Sequence, residues 1–390
     1  MPDDLKRKVG AIAPRLSEWR RHLHAHPELS FQEVETQKFV EARLRELGLE
    51  PVRPWQTAVV AAVKGSRPGR TVAVRADMDA LPIQEATGAP YASTRPGVMH
   101  ACGHDGHTAI LLGLATLLAQ EPDFPGEIRL LFQPAEELPP GGAKGMIEAG
   151  VLEGVDAVIG LHLIAHQQVG TAAWCEGPMM ANADAFTVRI KGQGGHGSSP
   201  HQTIDAIAVG AQIVTALQTV VSRRRDPTRP GVLSVGTFNA GFTFNVIAPE
   251  AVMRGTARSF DDETRELLER ETRRIVEGVA ASMGASAAVE WVTGYPAVVN
   301  HPEVAEVLAA AARESLGSER VTVQSPVMGG EDFAYFARER PAAFLFVGAG
   351  NREKGIDSPH HSPTFEIDEE SLPLGLEVMA RAARRLLAAD

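Results

Sequence analysis

The sequence predicts an α/β fold in two parts, and three observations carry that prediction. Apolar strand-like runs alternate with helix-period segments in residues 1–182 and again in 296–390. Between them, in residues 183–295, the order changes to strand-helix-strand-strand-helix-strand, a split-βαβ unit that can fold by itself. A chain of 390 residues is also too long for one ordinary core, so a discontinuous domain carrying an inserted one is the economical arrangement.

In the first segment, residues 35–47 have helical spacing, and Thr71-Val72-Ala73-Val74-Arg75 reads as a buried strand. Residues 107–120 form an apolar helix, 127–132 a strand, 143–149 a helix and 155–163 a strand. Such alternation implies parallel βαβ units with right-handed crossovers. The inserted segment reads as a strand at 185–190, a glycine-rich turn at 192–197 and a long helix over 203–221. Strands at 232–238 and 250–259 follow, with a loop centred on Gly241 between them, then a charged amphipathic helix at 262–283 and a strand at 287–293. Beyond Pro296 come a helix from Pro302, a strand at 320–324, a helix after Asp332, a strand at 343–348 and a final helix. No repeats or low-complexity segments interrupt this order.

Composition narrows the function. Hydrophobic residues at 44% and charged residues at 22% describe a globular protein rather than a disordered or fibrous one. A net charge of −11 argues against binding the phosphates of nucleic acid. The short basic run Arg223-Arg224-Arg225 is flanked by Asp226 and Pro227 and reads as a solvated helix end. The opening Met1-Pro2-Asp3-Asp4-Leu5 lacks the layout of a signal peptide. The apolar stretch 109–119 is broken by Gly113 and Thr116 and is too short to span a bilayer. Neither a nucleic-acid nor a membrane partner is therefore expected. Two cysteines, Cys102 and Cys175, cannot build a disulfide framework, which points to a reducing, cytoplasmic compartment.

The chemistry concentrates in a few short motifs. Cys102-Gly103-His104-Asp105-Gly106-His107 puts a thiol and two imidazoles within six residues, a set suited to zinc and its first-row neighbours. Downstream lie the paired carboxylates of Gln133-Pro134-Ala135-Glu136-Glu137, the histidine of Gly160-Leu161-His162, and His360-His361-Ser362-Pro363. Each has an ordinary reading alone: a packed thiol, a solvated helix start, a core histidine, a polar loop. Their joint occurrence at strand ends, where open α/β sheets collect their active sites, favours a metal-dependent hydrolase.

Those motifs, taken with Arg21-His22-Leu23-His24-Ala25-His26-Pro27-Glu28, Arg75-Ala76-Asp77-Met78-Asp79-Ala80, Gly195-His196-Gly197-Ser198-Ser199-Pro200, Gly329-Gly330-Glu331-Asp332-Phe333 and His361-Ser362-Pro363-Thr364-Phe365, run nearly the length of the chain. In them the sequence resembles the hippurate hydrolase and N-acyl-L-amino-acid amidohydrolase family, related to aminoacylases and zinc carboxypeptidases. The resemblance implies a zinc-peptidase-like catalytic domain, its mixed sheet flanked by helices, with a ferredoxin-like lid and dimerisation domain inserted. It implies two divalent metal ions, of which Zn, Mn, Co and Ni all suit a mixed N/O/S set, held by Cys102, His104, Glu137, His162 and His361. His107 and His360 are not ligands in that pattern. Glu136 is then the general base that passes a water proton to the leaving amine.

One departure leaves a residue open: the related carboxypeptidases have a histidine ligand where this chain has Asp77, so Asp77 stands as a candidate ligand. Asp79 and Asp105 are expected to orient imidazoles. His22, His24 and His26 are expected to be structural, and Cys175 a packed thiol. His196 reads either as part of a flexible glycine loop or, by resemblance, as a donor to the oxyanion, often across a dimer interface. Asn245 and Arg258 match positions that bind the substrate's free carboxylate in relatives, with surface salt-bridging the plainer alternative. The expected activity is hydrolysis of an N-acyl-L-amino acid to a carboxylate and an amino acid by a homodimer. A metallocarboxypeptidase or dipeptidase is the alternative enzyme, and a silent binding protein on the same fold the alternative class.

Overall fold

The computed structural model describes residues 2–388. In chain order the elements are α1 (Pro2–Ala25), α2 (Val34–Glu46), β1 (Val59–Lys64), β2 (Arg67–Asp77), α3 (His104–Gln120), β3 (Pro125–Gln133), α4 (Gly142–Glu148), β4 (Ala157–Gln168), β5 (Ala172–Trp174) and β6 (Gly177–Met180). Then come β7 (Asp184–Lys191), β8 (Gly195–His196), α5 (Ala206–Thr219), β9 (Gly231–Ala240), β10 (Val246–Ile247), β11 (Glu250–Ser259), α6 (Asp262–Ser282) and β12 (Ser286–Val292). The chain closes with β13 (Val298–Asn300), α7 (Pro302–Leu316), β14 (Val321–Val323), α8 (Phe333–Glu339), β15 (Ala342–Gly350) and α9 (Ser371–Ala388). Two compact units result. One combines the chain up to Met179 with Val299–Ser325 and the part from Asp332 onward; the other is Met180–Val298 with Pro326–Glu331. Residues 326–331 join the second unit because Ala181 N donates to Val327 O and Gly329 O.

The first unit is built on a seven-stranded mixed sheet in the order β1-β3-β2-β4-β15-β5-β14. Its centre, β3-β2-β4-β15, is parallel, while β1 and the β15–β5 pairing are antiparallel. Side chains alternate across such strands. Val72, Val74 and Ala76 of β2, Ile128 and Leu130 of β3, Ile159 and Leu161 of β4, and Ala343 and Leu345 of β15 share one core with α1, α2, α3, α7 and α9. The alternate positions, Arg75, Asp77, Gln133 and His162, therefore face the other way. Register then brings them level: Asp77 lies beside Gln133, and Arg75 beside Gly160, two residues before His162. The polar groups on this second face, set among apolar Leu131, Val158 and Phe344, are a consequence of strand parity.

Three sequence expectations change here. β1 is an added antiparallel edge strand, whose short run of small residues carries no strong periodicity. α3 begins at His104, because Gly103 at φ +93 turns the chain into the helix and puts His104 in its first turn. β4 continues past His162 to Gln168, since β15 goes on pairing with it after β2 has ended.

The second unit is a four-stranded antiparallel sheet in the order β12-β7-β11-β9 with α5 and α6 packed against it. The small β8–β10 pair stands apart from it. α5 starts where the Asp205 carboxylate accepts the Ile207 and Ala208 N–H groups. The helical stretch Ala206–Arg224 has the length and apolar content of a membrane span, yet Val209, Ile213 and Leu217 are spent on this unit's core. The Arg223–Arg224 end is a solvent-exposed helical turn, with Arg224 paired to Glu271.

Candidate active site

The strand β4, the start of α3 and the loops around them in the first unit bring Cys102, His104, Glu136, Glu137, His162 and His361 together. Ligand atoms of Cys102, His104 and His162 lie within 4.8 Å of one another, as do those of Cys102, Glu137 and His361. The two triads share the Cys102 sulfur. His104, Glu136 and Glu137 form a third such group, which sets Glu136 beside the others.

Hydrogen bonding sorts His104, His107, His162 and His360, the histidines around Cys102, into two kinds. His104 Nδ1 faces Asp79 O at 3.0 Å and Asp79 Oδ1 at 3.2 Å, so it carries the hydrogen and leaves the Nε2 lone pair free. His162 Nδ1 donates to Leu163 O at 2.9 Å, and its Nε2 faces Cys102 Sγ at 3.5 Å. These two present lone pairs to the centre. His107 Nε2 instead accepts the Leu163 N–H at 2.9 Å, so its Nδ1–H donates to Asp77 Oδ1 at 2.6 Å. His360 Nε2 accepts the Ala165 N–H at 3.2 Å, leaving Nδ1–H pointed at Cys102 Sγ, 3.6 Å away. His107 and His360 are committed as supports.

The donor set suits cations. His104 Nε2 is buried without a hydrogen-bond partner, a costly state that a bound metal relieves, and Glu137 Oε1 beside it makes no well-aligned hydrogen bond and has the His361 imidazole as its near neighbour. Burial opposes charge on His104, but Asp77, Asp79 and Glu137 around it raise it to about 10, so its surroundings favour positive charge at Nε2, which a bound metal would supply in place of a proton. Burial, with Glu137 and Glu136 nearby, pushes the Cys102 thiol well up. Burial, with His107 and His360 alongside, keeps His162 neutral, the form that ligates. The Glu137 carboxylate, 3.2 Å from His361 Nε2, raises that imidazole against its burial.

Local backbone explains the aim of these groups. His361 has φ +63 and its N–H is pinned to Ala101 O, next to Cys102. Ala135 has φ +54, which turns the chain sharply just before Glu136. Asp79 accepts the Glu136 and Glu137 N–H groups at 3.0 Å each, and Ser30 Oγ at 2.7 Å. One carboxylate thus orients His104 and the backbone of both glutamates, more than the single imidazole expected of it.

Asp77 groups with His104 and His107 within 4.8 Å, its Oδ2 3.7 Å from His104 Nε2, whereas Asp105 occupies a different place from the one the motifs suggest. Both Asp77 oxygens are engaged, by Arg75 Nη1 at 2.7 Å and by His107, and Arg75 is held in turn by Gln133 and Asp332. Asp105 bonds no ligand imidazole. One step beyond His104 on α3 rotates it about 100° toward α1, where it takes His24 Nδ1 and Arg20 Nε, each at 2.8 Å. His24 is therefore buried framework, while His22 and His26 stay at the surface. The Arg75–Asp77–Gln133–Asp332 network went unread in the sequence, although a charged residue inside the run Thr71-Val72-Ala73-Val74-Arg75 was its signal.

In the second unit, His196 is exposed, and its Nδ1 accepts from Ser198 N at 3.1 Å and lies 2.7 Å from Ser198 Oγ. The β8–β10 pairing and the Gly197 N–H to Asn245 O bond of 2.8 Å place Asn245 beside it. Arg258 on β11 is half-buried, and its Nη1 donates to Asp184 O at 3.2 Å and Ala257 O at 2.9 Å. Among the described residues no carboxylate pairs with it at salt-bridge distance. Cys175 is a free, buried thiol, as is Cys102.

Residues 73–385 match the model of Peptidase family M20/M25/M40. The chain belongs to this family. Within the family it is 53% identical to an N-acyl-L-amino acid amidohydrolase of Geobacillus stearothermophilus, over 77% of this chain and 82% of that one. It is 44% identical to thermostable carboxypeptidase 1 of Saccharolobus solfataricus, over 96% and 95% of the two chains. The crystal structure of the Bacillus subtilis YXEP protein, described as a dinuclear metal binding peptidase of the M20 family, superposes with a TM-score of 0.84 at 39% identity, covering 98% of this chain and 100% of that one. This M20 chain shares with these relatives a metallohydrolase family and its mixed α/β catalytic architecture.

Proposed function

We propose that this M20 protein hydrolyses the amide bond of N-acyl-L-amino acids with two divalent metal ions. The observation that carries the reading is the pair of donor triads sharing Cys102, with His104 Nε2 buried without a hydrogen bond and Glu137 Oε1 turned inward between His361 Nε2 and His104 Nε2. Cys102, His104 and His162 would hold one ion, and Cys102, Glu137 and His361 the other. Bound metals supply acidity to a water and polarise the amide carbonyl. Asp77, which groups with His104 and His107 within 4.8 Å, is left out of this proposed set because Arg75 and His107 engage its two oxygens.

Glu136 is the general base: its backbone is fixed by Asp79 and its carboxylate stands in the group with His104 and Glu137. It takes the water proton and returns it to the leaving nitrogen, which departs as the free amine of the amino acid. His196, on its own small strand pair, is the donor to the developing oxyanion, with its Nδ1 engaged by Ser198 and its Nε2 left for the substrate. Asn245 and Arg258 take the substrate's free carboxylate, a role supported by a half-buried guanidinium that no carboxylate neutralises at close range.

A homodimer through the second unit goes with this reading. β9 is an edge strand, and Phe238 at its end and Phe242 and Phe244 just beyond are exposed, Phe244 at 98%. The two free, buried cysteines favour a reducing, cytoplasmic setting.

The testing experiment crosses Zn, Mn, Co and Ni with hippurate, hippuramide, N-acetyl amino acids and dipeptides, and measures released amine. Chelation should abolish turnover and metal restore it. Hippurate should exceed hippuramide by about one to two orders of magnitude, the worth of one charge-assisted pair. Full activity after exhaustive demetallation refutes the metal reading. Equal rates on the two hippuric substrates refute the carboxylate anchor. The resemblance to a carboxypeptidase gives the alternative, which preferential turnover of dipeptides would establish.

A further inference from the structure

Two non-glycine residues of the first unit hold left-handed backbone and share one buried oxygen. Ala135, which precedes the proposed base, has φ +54, and Phe31, in the loop between α1 and α2, has φ +66. Such conformations cost an L-residue on the order of 1–3 kcal/mol and persist only where the surroundings over-determine them. Glu33 does this for both. Its Oε1 accepts the Ala135 N–H at 2.9 Å and the Phe31 N–H at 3.0 Å, and its Oε2 accepts the Thr57 hydroxyl at 2.6 Å. The side chain is fully buried.

With Asp79, Glu33 completes a cradle for three successive amides. Ala135 N goes to Glu33, and Glu136 N and Glu137 N go to the two oxygens of Asp79. Gly142 N closes the far side by donating to Ala135 O at 3.0 Å. A Cβ on Gly142 would sit 1.9 Å from Pro134 O, so this close approach needs glycine. Loop 26–33 is itself tied down, through the Ala80 N–H to Glu28 O and the Ser30 hydroxyl to Asp79. The turn that aims two adjacent carboxylates at different tasks is thereby held by a loop more than 100 residues earlier in the chain.

We propose that Glu33 is a positioning residue for hydrolysis: by fixing the Ala135 amide it sets the aim of Glu136 and Glu137. The proposal rests on the reading of Glu136 as base and Glu137 as ligand. What Glu33 must supply is an acceptor at a given distance, not a charge. Glutamine keeps Oε1 in place and can donate to Thr57 Oγ through its amide nitrogen. Aspartate keeps the charge but is one methylene too short to reach Ala135.

The experiment compares Glu33→Gln and Glu33→Asp in the metal-loaded full chain. It measures kcat and KM on the best N-acyl amino acid, metals bound per chain, and amide hydrogen exchange in the peptide covering residues 134–137. Glu33→Gln should keep kcat and exchange protection close to those of the unmutated enzyme. Glu33→Asp should keep its metals and KM, lower kcat by about 10–100-fold, the usual cost of losing an orienting partner, and exchange the Ala135 amide faster. A Glu33→Gln enzyme as impaired as Glu33→Asp, or a Glu33→Asp enzyme with unchanged kcat and exchange, overturns the proposal. If the unmutated protein turns over no acyl amino acid, or Glu136→Gln stays active, the functional reading fails instead. The exchange comparison then still decides whether Glu33 holds the turn.

Discussion

At the scale of single residues, the site is governed by which atom of each side chain is already spoken for. Glu136 and Glu137 are chemically the same, and in the proposed mechanism only the hydrogen bonds that hold their backbone N–H groups separate base from ligand. Glu136→Gln should therefore keep both metals while losing turnover by about 10²–10⁴-fold, because an amide cannot accept the water's proton. Metal analysis and kinetics on the same sample check this, and loss of metal in that variant would reverse the two roles. Cys102→Ser should do the opposite and weaken metal binding first, since both triads use that sulfur; unchanged stoichiometry under chelator competition would count against a shared thiolate.

A pH dependence follows from Glu33. Burial, with Asp79 adding to it, pushes its carboxyl up to about 7, so the folded chain holds this proton more tightly than the unfolded one. Stability from this source is full below the ordinary glutamate range and is lost as pH rises through about 7. Glu33→Gln cannot titrate there. Its urea midpoint should fall less than that of the unmutated chain between pH 5 and pH 8, and parallel slopes would disprove the assignment.

At the scale of elements, most strands and helices were legible in apolar periodicity, and the exceptions have local causes. α3 begins early because Gly103 supplies a left-handed turn, and β4 runs long because its neighbour keeps pairing. In the second unit, Asp205 caps α5 by accepting hydrogen bonds from two backbone N–H groups. Asp205→Ala should cost about 1 kcal/mol of stability, as N-cap losses do, and leave metal binding in the first unit intact. Thermal unfolding with a metal titration checks both halves, and an unchanged melting temperature would mean the cap is replaced by solvent.

At the scale of the whole molecule, the proposal is an enzyme whose second unit both pairs with a copy of itself and serves a site. If His196 acts on the partner's centre, mixing inactive His196→Ala with inactive Glu136→Gln should restore partial activity through hybrid dimers. A monomer by light scattering, or no recovery after proven subunit exchange, removes the shared site. The exposed edge of β9 with Phe242 and Phe244 makes a companion test, since Phe244→Glu should shift the protein toward monomer.

Taken alone, the sequence determined the α/β class, the β-α-β-β-α-β insertion and the residues able to ligate metal, because periodicity and donor chemistry are properties of short segments. It left Asp77 open beside the candidate ligands, gave no physical reason for setting His107 and His360 aside, and could not see that Asp105 serves α1 and that Glu33 reaches Ala135. Those distinctions lie in which hydrogen-bond partner each group meets. Strand parity, one helical step and a contact across about a hundred residues decide that, and only the folded chain contains them.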